Sequence, residues 1–189
     1  MRHISPSRTG IRAVILHILL LPAFLTAAAH SAAPLTIDAD SQFRYARSRL
    51  DSGAFDEAAS EFNRFIHFFP RDPRIPRARY LIGVAHFQAG RYQKAEAIFA
   101  GVAGDDDRPA LQSEAFIMLS RSHARRGMLE QAMVDLHNLI AVSTQPAVID
   151  RARYELGWLH VAAGQWPMAE RAFDRIGPDN RPDYGIDEL

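Results

Sequence analysis

Four glycines recur at a single interval in this chain of 189 residues: Gly53, Gly90, Gly127 and Gly164 lie 37 positions apart. Around each glycine the same residue types return. Five positions later stands an alanine, Ala58, Ala95, Ala132 and Ala169. Four further on stands a large apolar side chain, Phe62, Phe99, Leu136 and Phe173. Seven before each glycine stands a small residue, Ala46, Gly83, Ser120 or Gly157, and two after it Phe55, Tyr92, Leu129 or Trp166. Self-similarity of this kind marks a stacked repeat, in which each unit buries its apolar faces against its neighbours rather than in one central core.

Each unit reads as two helices around a glycine turn. In the second unit the first helix is expected over about Arg77 to Ala89 and the second over about Tyr92 to Val102. Glycine suits the reversal because it takes positive φ without strain. The alanine lets the two helices approach closely, and the following aromatic or leucine fills the space between them. Apolar residues such as Tyr80, Val84 and Phe87 keep a helical period, and no segment alternates with the period of two that marks a strand. The stretch from Pro70 to Pro76 is expected to be a rigid turn between units. Similar breaks are expected at Gly104–Pro109, at Ser143–Pro146 and at Gly177–Pro178.

The small–(x6)–Gly–(x4)–Ala–(x3)–Phe sets resemble the tetratricopeptide repeat family. The clearest unit runs from Arg77 to Phe99, and Arg151 to Phe173 repeats it. The resemblance covers about residues 40 to 176. It implies an all-α fold, a right-handed superhelical solenoid of four helix-turn-helix repeats. The expected units are about 40–73, 74–108, 109–145 and 146–176, preceded by a linker at 34–39 and followed by a polar tail at 177–189. The family period is commonly 34 residues. Longer units such as these resemble those of bacterial periplasmic envelope proteins.

Residues 1–33 read as a secretory signal peptide. Arg2, Arg8 and Arg12 give a positive start free of acidic residues, and an apolar run from Ala13 to Leu25 leads into a small-residue stretch, Thr26 to Ala33. The run is short for a membrane span, which needs about 20 apolar residues. An uncleaved anchor or a mitochondrial presequence are the other readings of the same segment. The chain has no cysteine. Disulfides, thiolate metal sites and the lipid-bearing cysteine of a bacterial lipoprotein are therefore excluded. The expectation is a periplasmic or secreted soluble protein. Without the three leading arginines, 19 basic residues face 22 acidic ones, a net charge of −3. That balance opposes binding to nucleic acid, which relies on a basic surface.

His86, His123 and His160 share one repeat position, four residues before their glycines. Equivalent positions in successive units stand at least a helix spacing of about 8–10 Å apart, so three such imidazoles cannot converge on one metal ion. They read as packing residues with one nitrogen hydrogen-bonded. Asp105, Asp106 and Asp107 lack the spaced ligands of a calcium loop and read as a solvated turn. No nucleophile–base pairing or phosphate loop stands out. No cofactor, metal or catalytic residue is expected, and the chain is not expected to be an enzyme.

The resemblance implies a partner-binding groove lined by the first helix of each unit. By position this selects Phe43, Arg47, Tyr80, Val84, Phe87, Arg121, Tyr154 and Trp158. Aromatic residues with interspersed arginine suit a peptide surface. The same residues could instead pack between neighbouring first helices. The carboxylate clamp of some family members uses lysine and asparagine, and its places here hold Phe43 and Arg47, Tyr80 and Val84, and Ile117 and Arg121. Only the two arginines could serve, although Arg121 with Arg125 could hold an acidic group. The expected function is a non-catalytic scaffold for an extended segment of an envelope protein. The rival is a structural arm of a larger membrane-associated assembly, held through its open repeat ends.

Overall fold

The computed structural model describes residues 38–104 and 108–177. The segment read as a signal peptide, the Asp105–Asp107 run and the tail beyond Gly177 lie outside the described residues. Eight helices follow in order among those residues: α1 (Ala39–Asp51), α2 (Phe55–Phe68), α3 (Ile75–Gln88), α4 (Tyr92–Ala103), α5 (Pro109–Arg125), α6 (Leu129–Val142), α7 (Pro146–Ala162) and α8 (Trp166–Asp174). Each helix packs on the next, and α3 also touches α5 as α5 touches α7. This is an all-α helical repeat solenoid of four hairpins. Its buried apolar residues form two clusters that run along the seams between helices.

Among the described residues, the four repeat glycines are those with positive φ, at 79°, 72°, 79° and 71°. The same pair of backbone hydrogen bonds closes every turn. Gly53 N–H donates to the Leu50 carbonyl at 3.0 Å and Ala54 N–H to that of Arg49 at 2.9 Å. The pattern recurs at Gly90 and Arg91, Gly127 and Met128, and Gly164 and Gln165. It satisfies carbonyls that the end of the first helix would leave bare. The second helix starts at once, and in α2 its first turn carries Asp56 and Glu57 against the positive end of the helix dipole.

The small residue seven before each glycine receives the large side chain of the second helix. A Cβ added at Gly83 would stand 2.6 Å from the Phe99 ring, and one at Gly157 would stand 2.4 Å from the Phe173 ring. In the third unit Ser120 sits opposite Leu136 and donates its hydroxyl to the Ala132 carbonyl at 2.9 Å. Phe62, Phe99 and Leu136 are fully buried. The small residue, the alanine and the large apolar side chain therefore lock each hairpin, as the spacing predicts.

Two boundaries differ from the sequence reading. The proline-rich connector is shorter than expected: α3 begins at Ile75, with Pro76 in its first turn. Proline is tolerated there because the first N–H groups of a helix have no internal partner. Pro109, Pro146 and Pro167 open their helices in the same way. The last helix stops at Asp174 rather than at Gly177.

The α2–α3 connector is held by Asp72, which accepts from the Arg74 backbone N–H at 2.9 Å and from its Nε at 2.8 Å. The Arg74 guanidinium also reaches Asp40 at 2.7 Å and lies over the rings of Phe43 and Phe65. These hydrogen bonds from Arg74 hold the Asp72 carboxyl down at about 2, against the opposing effect of burial. A depressed carboxyl stabilises the fold above its unfolded value of about 3.8, and that contribution is lost as pH falls toward 2. The Asp72→Asn variant should therefore melt below the parent near neutral pH and converge with it toward pH ~2, as thermal midpoints across that range will show.

Glycine at the turns and glycine within a helix should respond oppositely to one substitution. An added Cβ meets nothing within 4 Å at either Gly90 or Gly101, but only Gly90 has positive φ. Gly90→Ala should cost about 1–2 kcal/mol. Gly101→Ala, in exposed helix, should gain about 0.5–1 kcal/mol by denaturant unfolding.

Candidate functional site

The first helices α1, α3, α5 and α7 carry the residues selected for the groove, and two recesses open there. One, of about 350 Å³, lies between α1 and α3 and is bounded by Arg47, Leu50, Phe55, Tyr80 and Val84 among others. The second, of about 270 Å³, lies between the end of α3, α5 and α7, with Phe87, Arg121, Ala124 and Trp158 on its walls. Arg47, Tyr80, Val84, Phe87, Arg121 and Trp158 thus line a recess.

Phe43 and Tyr154 line neither. The Phe43 ring packs edge-on against Phe62 and Phe65, with centroids 5.5 and 5.2 Å away. Tyr154 lies 5.9 Å from the Phe173 ring. Tyr80 is itself nearly closed off, with its ring 5.6 Å from Phe99 and Arg77 over its other side at 4.8 Å. Ile117, in the same row, is buried. This row stands three residues before the small residue, so its side chains cover the same ring that the small residue seats. Residues one turn further on, such as Val84, reach the recess walls.

Three arginines of this face are paired within the protein. Arg121 donates to Glu155 at 2.6 and 3.2 Å. Arg47 lies 3.3 Å from Asp51, and Arg77 reaches Glu114 at 2.5 Å. Such half-exposed pairs contribute little to stability. They do neutralise Arg47, Arg77 and Arg121, so the α3–α5–α7 recess offers mainly apolar and aromatic walls with Arg125 beside them, while the α1–α3 recess is the more polar of the two.

A larger cavity, about 480 Å³, lies on the opposite face of α3, between α2 and α4. Asn63, Ile66, Arg79, Ile82, Ile98 and Val102 are on its walls. The sequence reading passed over it. Its signal was present as Arg79, Ile82 and His86, a second helical stripe on α3 offset from the one through Arg77, Tyr80 and Val84.

The three repeat histidines are turn residues, each with Nδ1 engaged. The His86 ring accepts from Arg91 Nε at 3.0 Å, and that of His160 faces Gln165 Oε1 at 2.7 Å. Arg91 and Gln165 both follow their repeat glycine. Met128 holds that place in the third unit and offers no such atom, so His123 turns instead to Asp135 at 2.6 Å. Glu96 of the previous unit stands 3.4 Å from the other His123 nitrogen and also pairs with Arg126. Burial, then the charge of Arg91, holds the His86 imidazole below its usual range. Burial pushes the Asp135 carboxyl up, against the opposing pull of its hydrogen bond to His123.

The split between packing and recess residues has a measurable consequence. Tyr80→Ala should destabilise the fold by about 3 kcal/mol, since it uncovers the Phe99 ring. Val84→Ala, half-buried on the recess wall, should cost only about 1 kcal/mol. Urea unfolding followed by circular dichroism separates the two.

Sequence profiles described as tetratricopeptide repeat match residues 43–111 and 151–175. No curated protein matches the chain significantly. Among solved structures, it is similar to MamA from Desulfovibrio magneticus, with a TM-score of 0.58 at 17% identity, covering 74% of this chain and 73% of that one. It is also similar to BtubC from P. vanneervenii, with a TM-score of 0.62 at 16% identity over 73% of this chain and 61% of the other. A tetratricopeptide repeat protein from Parabacteroides merdae gives a TM-score of 0.58 at 17% identity over 73% and 52% of the two chains. At these identities the likeness is one of fold.

Proposed function

Because this chain belongs to the tetratricopeptide repeat family, whose members are in general non-catalytic scaffolds, we propose that it binds an extended segment of an envelope protein along its first-helix face. The observation that carries this reading is the pair of recesses between successive first helices, which present Val84, Phe87, Ala124 and Trp158 beside arginines already neutralised by Asp51 and Glu155. A ligand there would gain by burying apolar side chains on a preformed surface. Alternate side chains of an extended peptide would enter successive recesses, and the paired charges at the rims would set register more than affinity. Phe43 and Tyr154 belong to this reading only as supports of the walls.

The test is selection of extended peptides from a display library with the purified protein, followed by titration against recess variants. Val84→Glu and Ala124→Glu each place a charge in a recess without removing a buried ring. Each should weaken the selected peptide about tenfold or more while the melting temperature stays close to that of the parent. Unchanged affinity in both variants would reject the first-helix face as the site.

The envelope setting is part of the same proposal. It rests on the charged start, apolar run and small-residue stretch of residues 1–33. No helix among the described residues is long and apolar enough to cross a membrane. Ala29 or Ser31 would end the leader, as each completes a small–x–small pattern with Ala27 or Ala29. Mass spectrometry of the exported protein should find its first residue at His30 or Ala32, and a mature chain that starts at Met1 would overturn the assignment.

A further inference from the structure

Repeat positions that are closed or half-closed in the interior of the stack are open at the two ends of its described helices, and the open surfaces match one another. Ile82, Leu119 and Leu156 hold one repeat position and are 6%, 8% and 6% exposed, whereas Tyr45 at the same position in α1 is 48% exposed. In the interior this position faces the second helix of the preceding unit, as Ile82 does beside Ile66. No described helix lies before α1. At the other end, Phe55 stands against Leu81 and Val84 of the next first helix, and Leu129 against Trp158 and Leu159 of the next. Trp166 holds that position in α8 and is 66% exposed, with Met168 beside it also exposed.

The charges follow the same register. At the seam between the second and third units, Arg77 pairs with Glu114, and Glu96 stands 3.4 Å from a His123 ring nitrogen. Moved on by two units, these donors and acceptors become Arg151 and Glu170, neither of which makes an ion pair with another described residue. The residues that would meet them on a following unit correspond to Asp40 and Arg49 of α1, which within one chain face Arg74 and Glu57 and would be shared with the new partner. An acid would meet Arg151 and a base would meet Glu170, with the same polarity as in the interior. Position by position, the series Asp40, Arg77, Glu114, Arg151 alternates in sign, and a second copy would continue it with its own Asp40.

We propose that a second copy of this chain stacks on the α7–α8 end, with its α1 in the place of the next first helix, so that Tyr45 and Trp166 are buried while Asp40 pairs with Arg151 and Arg49 with Glu170. The contact is head to tail. Each added copy presents a fresh Trp166 end, so growth does not stop at two. The first-helix recesses are not used, and this association stands apart from peptide binding there.

Sedimentation of the purified protein tests it. The weight-average mass should rise with concentration past that of two copies. Tyr45→Arg and Trp166→Arg should each abolish this growth, and a mixture of the two variants should form a pair and no more, because one retains a working tail and the other a working head. Asp40→Arg or Arg151→Asp alone should weaken association about tenfold or more, and the double exchange should restore it. That restoration separates a broken contact from a broken fold. A parent that remains monomeric at every concentration overturns the proposal, as does a dimer whose mass reaches a plateau at two. A chain ending at Gly177 that associates where the parent does not would also overturn it, since residues 178–189 would then be the occupant of that end.

Discussion

A large apolar side chain seated against a small residue keeps each hairpin at one spacing, and in two of the four it fills the place where a Cβ would stand. Gly83 and Gly157 leave the room that the Phe99 and Phe173 rings fill, and in the first hairpin Ala46 and Phe62 are both fully buried in one cluster. A close and uniform spacing within hairpins makes the step from one hairpin to the next uniform as well. Everything on the first-helix face depends on that step. The Arg77–Glu114 bridge joins residues 37 apart, and Arg121–Glu155 joins residues 34 apart, because successive first helices lie side by side in register. The recesses are what remains between those helices once the rings have been covered from one side and the bridges made on the other.

The turns show how little the chain leaves to chance at the reversal. Positive φ and a pair of backbone bonds recur four times, and the histidine or arginine four residues before the glycine adds a side-chain layer. The side-chain layer is not uniform. His86 finds an arginine, His160 an amide and His123 a buried carboxylate, because the residue after the glycine differs from unit to unit. One repeat position thus carries three local chemistries on a single backbone geometry. A metal reading would require the three rings to face a common point, and each is occupied at its own turn.

What was legible in the sequence follows from which residues have one meaning. A glycine repeated at fixed spacing before an alanine and a phenylalanine has few physical uses, so the hairpins, their order and their turns could be read directly. Proline has two meanings, breaker within a helix and opener at its first turn. Pro76 was read in the first sense and serves in the second. The groove rows were legible only as stripes. Helical spacing brings Phe43, Tyr80 and Tyr154 to one face, but it cannot tell a residue that covers the ring of its own hairpin from one that looks outward. That distinction depends on where the neighbouring small residue lies. The neutralisation of Arg121 by Glu155 was hidden for a related reason, since it depends on the offset between units and not on any local pattern. The cavity against α2 and α4 lay on the stripe of α3 that the family resemblance gave no reason to inspect.

One repeat position separates the demands of the seam from those of the surface. The residue two after the glycine is Phe55, Tyr92, Leu129 and Trp166 in turn. In the first and third units it is pressed toward the next first helix, and in the second it lies edge-on to Phe87 with centroids 5.2 Å apart. Burial alone accounts for an apolar side chain in those three. In the fourth unit the same position has no described neighbour to meet, yet it carries the largest apolar side chain of the four and holds it largely open. Water would favour a polar residue there, and the fold would lose nothing by having one, because Trp166 covers little of its own hairpin. Under the head-to-tail stacking proposed above, the requirement that keeps an indole at that site comes from outside the four hairpins. It is of the same kind that the interior seams satisfy, namely a helix laid across the second-helix start of the preceding unit.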